Sequence, residues 1–246
     1  MDLFAPIKDG NMDALKLLLA SDVDVNDRND SEETPLMVAA GAGSLPMVHA
    51  LLEAGADTHA VNAYGFSALG SALWCSHMEI AKRLVEAGAE VSIDQAAALG
   101  DLERLTREWS DPFPEIEEVI GAYLGTCRTG QRQVIEWFLN AGIPVDLHPP
   151  GDEWGGIGAP GLHHAAENGH TDTVRLLLEH GADYSLVDDV HQSQALAWAA
   201  SSGHQAVVKI LIDSGANIAH QNDHGLTAAD LARDNGFPNL AARLVD

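Results

Sequence analysis

The fold is decided by one stretch of sequence, Gly161-Leu162-His163-His164-Ala165-Ala166-Glu167-Asn168-Gly169-His170. An apolar run from Val174 to Leu178 follows it, and then Gly181-Ala182-Asp183. Equivalent turn positions recur along the 246-residue chain at Gly10, Gly43, Ser76, Gly100, Gly130, Gly169, Gly203 and Gly236. These positions are 33, 33, 24, 30, 39, 34 and 33 residues apart. The sequence is therefore a repeat with a period near 33 residues, whose units bury their apolar faces against their neighbours.

Each unit predicts a pair of short helices. In the clearest early unit, Thr34 is a suitable N-cap and Pro35 a suitable first helical residue, because the N–H that proline lacks is unpaired there in any case. Small and apolar residues then follow at i, i+3 and i+4 until Gly43 ends the run. A second apolar helix follows and stops at Gly55, which suits the left-handed position after a helix.

The glycine stop recurs and is followed by related dipeptides, such as Ala56-Asp57 and Ala182-Asp183. With this Gly-Ala-Asp turn and the 33-residue period, the chain resembles the ankyrin-repeat family over essentially its whole length. The resemblance implies an all-α solenoid of about eight helix pairs with short β-hairpin loops, which binds other proteins in a concave groove. It also implies that His163 and three turn histidines make hydrogen bonds between neighbouring loops. These three histidines are His77, His170 and His204.

We predict a single domain over residues 1–246, with two capping repeats. Residues 1–29 form the N-terminal cap and residues 221–246 the C-terminal cap, since their helices depart from the repeat pattern. Repeats fill 30–146, with a truncated, degenerate fourth unit at 91–118 that leaves no room for a hairpin. Two regular repeats span 161–220. Between them and the preceding repeats, a Gly- and Pro-rich segment predicts a long inserted loop at 147–160.

Composition limits the classes of partner. Lys and Arg total 13 against 37 Asp and Glu, giving a net charge of −24, which repels nucleic acid and anionic membranes. The charge either favours a basic partner or only keeps the stack soluble. No secretory signal or membrane-spanning run is visible, so we expect a monomeric, cytoplasmic protein with Cys75 and Cys127 as reduced thiols in or near the core.

Helical geometry selects candidate contact residues. Positions i+2 and i+5 of each first helix point away from its buried face and toward the groove. The tip between the two regular repeats adds Asp188 and His191, and the next tip offers Asn222, Asp223 and His224. The predicted binding residues are Trp74, Arg128, Trp154, His164, Glu167, Asp188, His191 and Trp198.

Besides the role of a structural spacer within a larger assembly, two functions remain open from the sequence. The first is binding of another protein, through a basic or aromatic segment, in the groove. The alternative is a pocket for a small molecule, with or without acid-base chemistry, that the 147–160 loop closes over His164, His191 and Trp198. A nucleophile elbow and a phosphate-binding glycine loop are both missing from the sequence, so we predict no enzyme activity. The histidines show neither Cys/His grouping nor a His-Glu-x-x-His helix, so we predict no metal ion and no cofactor. The weaker alternative is a metal site built from His164, His191 and Asp188.

Overall fold

A computed structural model describes residues 2–109, 114–149 and 158–244. The chain divides into two compact units, Met1–Gln95 and Ala96–Asp246, here called the N-terminal and C-terminal units. Within the described residues no helix is long and apolar enough to cross a membrane. The described helices are α1 Phe4–Lys8, α2 Met12–Leu19, α3 Pro35–Gly41, α4 Leu45–Glu53, α5 Ala68–Trp74, α6 Met78–Glu86, α7 Ile93–Leu99, α8 Leu102–Glu108, α9 Ile116–Thr129, α10 Arg132–Asn140, α11 Gly161–Glu167, α12 Thr171–Glu179, α13 Ala195–Ser201, α14 Gln205–Asp213, α15 Ala228–Asp234 and α16 Pro238–Arg243.

Within each unit the helices form two layers. First helices pack on first helices, as α3 does on α5 and α11 on α13, while second helices pack on second helices, as α12 does on α14. The predicted cap is present at α3, where the Met37 N–H donates to the Thr34 hydroxyl at 3.4 Å and Pro35 begins the helix. Small buried residues such as Ala39 and Ala165 allow the first helices to approach closely.

The turns follow the sequence pattern. Each of the eight aligned turn positions has a positive φ, including the non-glycine Ser76 at 58°. Three turn histidines each bond back to the repeat before their own. His77, His170 and His204 donate through Nε2 to backbone carbonyls of that repeat at 3.2, 2.8 and 2.8 Å. His163 bonds in the other direction along the stack, since its Nε2 donates to the Ser193 carbonyl of the following repeat at 3.1 Å. The predicted hydrogen bonds between repeats are confirmed for all four.

The middle of the chain departs from the regular repeat. Only residues 87–92 connect α6 to α7, so the predicted lack of a hairpin there is confirmed. The helix α9 has 14 residues, twice the length of first helices such as α3 and α11. In the described residues, the predicted β-hairpins are reduced to two isolated bridges, Val61 with Ser67 and Val187 with Gln194. Cys127 is buried, but Cys75 is exposed, so the prediction of a core thiol was wrong for Cys75.

The contact between α9 and α11 requires a glycine. A Cβ at Gly161 would lie 2.7 Å from Cys127 Sγ and 3.4 Å from Tyr123 Cε1. We expect Gly161→Ala to lower the free energy of unfolding by about 1–3 kcal/mol, because both neighbours are fully buried. Chemical denaturation of the variant measures the loss. The double variant Gly161→Ala/Cys127→Ala removes the clashing sulfur and should recover part of that stability; equal losses in both variants would contradict a steric cause.

Candidate functional site

The C-terminal unit contains an open cleft of about 320 Å³. One wall comes from the first helices α13 and α15, and the other from the turns that precede them. Trp198 and Leu231 give the helical wall its apolar surface. The lining residues are Glu167, His191, Ser193, Ala197, Trp198, Ser201, Asn222, His224, Leu226 and Leu231. Three predicted binding residues, Glu167, His191 and Trp198, therefore lie together.

Asp188 holds the turn at one end of this cleft. Its carboxylate is fully buried and accepts hydrogen bonds from the N–H groups of Val190, His191 and Ser193 at 3.1, 2.6 and 3.2 Å. It also accepts one from Trp198 Nε1 at 3.0 Å. Asp188 therefore fixes both the turn and the indole and presents no surface to a ligand. The prediction that it contacts a partner stays untested, but its burial favours a structural role.

Two histidine rings support Trp198 from behind. The rings of His163 and His164 meet the indole edge to face, with centroids 5.5 and 5.6 Å away. Together with the Asp188 bond, these contacts leave the indole one orientation. Trp198 therefore faces the cleft as a rigid aromatic side chain rather than a mobile one.

His164 is buried, although helical geometry predicted that it faces the groove. Arg128 donates to His164 Nδ1 at 2.9 Å, so this ring nitrogen is an acceptor and the imidazole is neutral. The Arg128 guanidinium also lies 3.6 Å from the Glu167 carboxylate. Burial, followed by the Arg128 charge and His163, holds the pKa of His164 well below its usual value. Arg128 and His164 do not line the cleft. The lowered pKa is thus a consequence of packing, and it gives no support to an acid-base pocket.

His163 is the second strongly perturbed group. Burial lowers its pKa to about 4, and the hydrogen bond to the Ser193 carbonyl opposes that shift. Its Nδ1 has no hydrogen-bond partner among the described residues. The N-cap of α11 is Pro160, which has no hydroxyl to offer, whereas the caps of α3 and α15 are threonines. Because burial lowers the pKa of both His163 and His164, the neutral form of each ring is favoured at pH 7.

The remaining predicted residues lie elsewhere. Trp74 is in the N-terminal unit, where it is 53% exposed and meets Phe66 edge to face at 6.0 Å. Trp154 and most of the inserted loop lie outside the described residues. The pocket alternative required that loop as a lid, so it stays a prediction.

His224 lies beside His191, a proximity that was not predicted from the sequence. Their rings lie 6.1 Å apart at the tips of successive repeats. A signal was present, because the two residues are separated by 33 positions, one repeat period. Leu226 and Leu231 were likewise absent from the predicted binding residues, although Leu231 is an i+2 position equivalent to Trp198.

Comparison with known proteins agrees with this architecture. The family model described as Ankyrin repeats (3 copies) matches residues 3–95, 125–222 and 162–246. The chain belongs to the ankyrin-repeat family. The all-α ankyrin-repeat fold predicted from the sequence is thereby confirmed.

Ankyrin-repeat relatives match only part of this chain. Ankyrin repeat and SAM domain-containing protein 6 of Rattus norvegicus is 37% identical over 94 residues, which are 37% of this chain and 11% of that protein. Potassium channel GORK of Arabidopsis thaliana is 32% identical over 114 residues, 46% of this chain and 14% of that protein. The human ASB11 ankyrin repeat domain is similar at a TM-score of 0.44 and 23% identity, covering 99% of this chain and 97% of that chain. The matched segments thus span only 11% of the Rattus norvegicus protein and 14% of the Arabidopsis thaliana channel.

Proposed function

We propose that this chain is a non-enzymatic protein-interaction module that holds a segment of its partner in the cleft beside Trp198. Ankyrin repeats are generally protein–protein interaction modules. The observation that carries the proposal is the fixed indole in an open cleft. Rigid aromatic side chains in such positions contribute strongly to binding, because little side-chain entropy is lost when the partner arrives.

The cleft suits a segment with one aliphatic and one basic side chain. Leu226 and Leu231 offer apolar surface beside Trp198. The Glu167 side chain lines the same cleft, is 41% exposed, and lies 3.6 Å from the Arg128 guanidinium. The net charge of −24 would also attract a cationic segment over a longer range. The partner is therefore proposed to be a protein with an exposed basic and aliphatic segment.

Selection from a random peptide library tests this function. We expect the purified full chain to enrich peptides that combine Lys or Arg with an aliphatic residue. Leu231→Asp should weaken their binding at least about tenfold, since the leucine surface is lost and a charge must be desolvated. Fluorescence anisotropy with a synthetic copy of one enriched peptide measures the change.

The chain offers a matched control for this substitution. Leu17 lies in the N-terminal unit and is 75% exposed, so Leu17→Asp adds the same charge away from the cleft. It should leave affinity unchanged. Weaker binding in Leu17→Asp with full binding in Leu231→Asp would place the interaction outside the cleft. Circular dichroism of both variants verifies that they are folded.

A further inference from the structure

The tips of two successive repeats bring together three side chains that can ligate a metal. These are His191 in the first tip and Asp223 and His224 in the second, and all three are exposed. One ligand atom from each lies within 4.8 Å of the other two. His224 Nδ1 and Asp223 Oδ1 are 3.4 Å apart.

The backbone of each tip is held by its own side-chain hydrogen bonds. In the first tip, Asp188 Oδ1 accepts from the His191 N–H at 2.6 Å. In the second, Asn222 Oδ1 accepts from the N–H groups of His224 and Leu226 at 3.0 and 2.9 Å. The ligand-bearing residues are therefore attached to ordered turns, so binding a metal would require only side-chain rotation.

The two tips are also tied to each other. The Asp223 N–H donates to the His191 carbonyl at 3.0 Å. A second bond runs from His220 Nε2 to the Gln192 carbonyl at 2.8 Å. These bonds cross between the two repeats and hold together the tip backbones that carry the three ligand residues. Their proximity is a property of the fold rather than of one chance rotamer.

The size of the cluster fits a zinc ion. Ligand atoms at about 2.0–2.2 Å from Zn²⁺ in tetrahedral geometry lie roughly 3.4 Å from one another. A present separation of up to 4.8 Å is closed by small rotations of exposed side chains. Two imidazoles and a carboxylate are also a ligand set that zinc accepts, with a fourth position open to water.

We propose that His191, Asp223 and His224 bind one Zn²⁺ ion across the two repeat tips, with water at the fourth position. The site does not depend on the proposed partner, because all three ligands come from this chain. Binding links the tips of two successive repeats and should therefore stabilise the folded C-terminal unit.

The N-terminal unit provides a matched control for the histidine–aspartate pair. His59 Nδ1 lies 3.4 Å from Asp57 Oδ1, the same separation as in the His224–Asp223 pair. His59 and Asp57 are not part of a three-ligand group among the described residues. If an exposed His–Asp pair were enough to bind zinc, both places would do so equally.

Calorimetric titration with ZnCl₂ tests the site. The full chain, free of any affinity tag and treated with a chelator, should bind one equivalent of Zn²⁺. His191→Ala and His224→Ala each remove a direct ligand, and Asp223→Asn replaces an anionic oxygen by a neutral amide, so each should weaken binding at least about tenfold. His59→Ala should bind as the wild type does. Unchanged affinity in His191→Ala, or an equal loss in His59→Ala, would overturn the proposal.

Cobalt gives a second readout that reports geometry. Co²⁺ in place of Zn²⁺ should produce the intense visible absorption of a four-coordinate site in the wild type, and only the weak absorption of the hydrated ion in His191→Ala. Thermal unfolding should move to higher temperature with Zn²⁺ in the wild type and stay unchanged in His191→Ala. Because the three residues are exposed, circular dichroism should show all variants folded; weak cobalt absorption in a folded wild type would refute the site.

Discussion

Replacing Asp188 by Ala is expected to lower the free energy of unfolding of the C-terminal unit by at least about 3 kcal/mol. The carboxylate is fully buried and accepts four hydrogen bonds, three from backbone N–H groups and one from Trp198 Nε1. Alanine leaves these donors without an acceptor. Each buried donor that remains unpaired costs about 1–3 kcal/mol, and the Ser193 N–H lies in a buried residue.

Urea denaturation of the purified variants measures this loss. The neighbouring Asp189 is exposed, so Asp189→Ala removes the same charge but keeps the Asp188 carboxylate as the acceptor of the turn's hydrogen bonds. It should cost clearly less stability than Asp188→Ala, because groups around an exposed side chain remain within reach of water. Asp188→Asn should lie between the two, because an amide offers one acceptor oxygen and places an NH₂ group against donors. Equal stability of Asp188→Ala and Asp189→Ala would show that the buried carboxylate does not hold the turn.

Asp188 also shows where sequence analysis reaches its limit. The adjacent carboxylates Asp188 and Asp189 predict an acidic, exposed tip. Which of them turns inward depends on the path of the backbone and on the position of the Trp198 indole one helix away. A pattern of residue types contains neither quantity, so the burial of Asp188 could not be predicted from the sequence.

The regular parts of the fold could be predicted because their causes are local. A glycine at a position that needs positive φ, a threonine N-cap and an apolar i, i+3, i+4 face each act within one repeat. The same geometry selects Glu167, Trp198 and Leu231, which all line the cleft. It fails for His164, because the long Arg128 side chain of the preceding repeat covers that ring. Side-chain size in the adjacent repeat decides exposure there, and helical periodicity does not include it.

Lowering the pH from 7.5 to 5 is expected to destabilise the C-terminal unit through its two buried histidines. Burial lowers the pKa of His163 to about 4, whereas an unfolded histidine has a pKa of about 6.5. Between these values the unfolded chain binds more protons than the folded one, so stability falls as the pH falls through this window. His163 alone accounts for about 2 kcal/mol at pH 5. His164 acts in the same direction, because its pKa is also lowered by burial and by Arg128.

The slope of unfolding free energy against pH isolates this effect from the titration of other groups. Urea denaturation between pH 7.5 and 5 should give a flatter slope for His163→Gln/His164→Gln than for the wild type, whatever the absolute stability of the variant. His180 is exposed in the same unit, so His180→Gln serves as the matched substitution of a histidine that is not buried. An unchanged slope in the double variant would mean that protonation of His163 and His164 does not cause the loss of stability in acid.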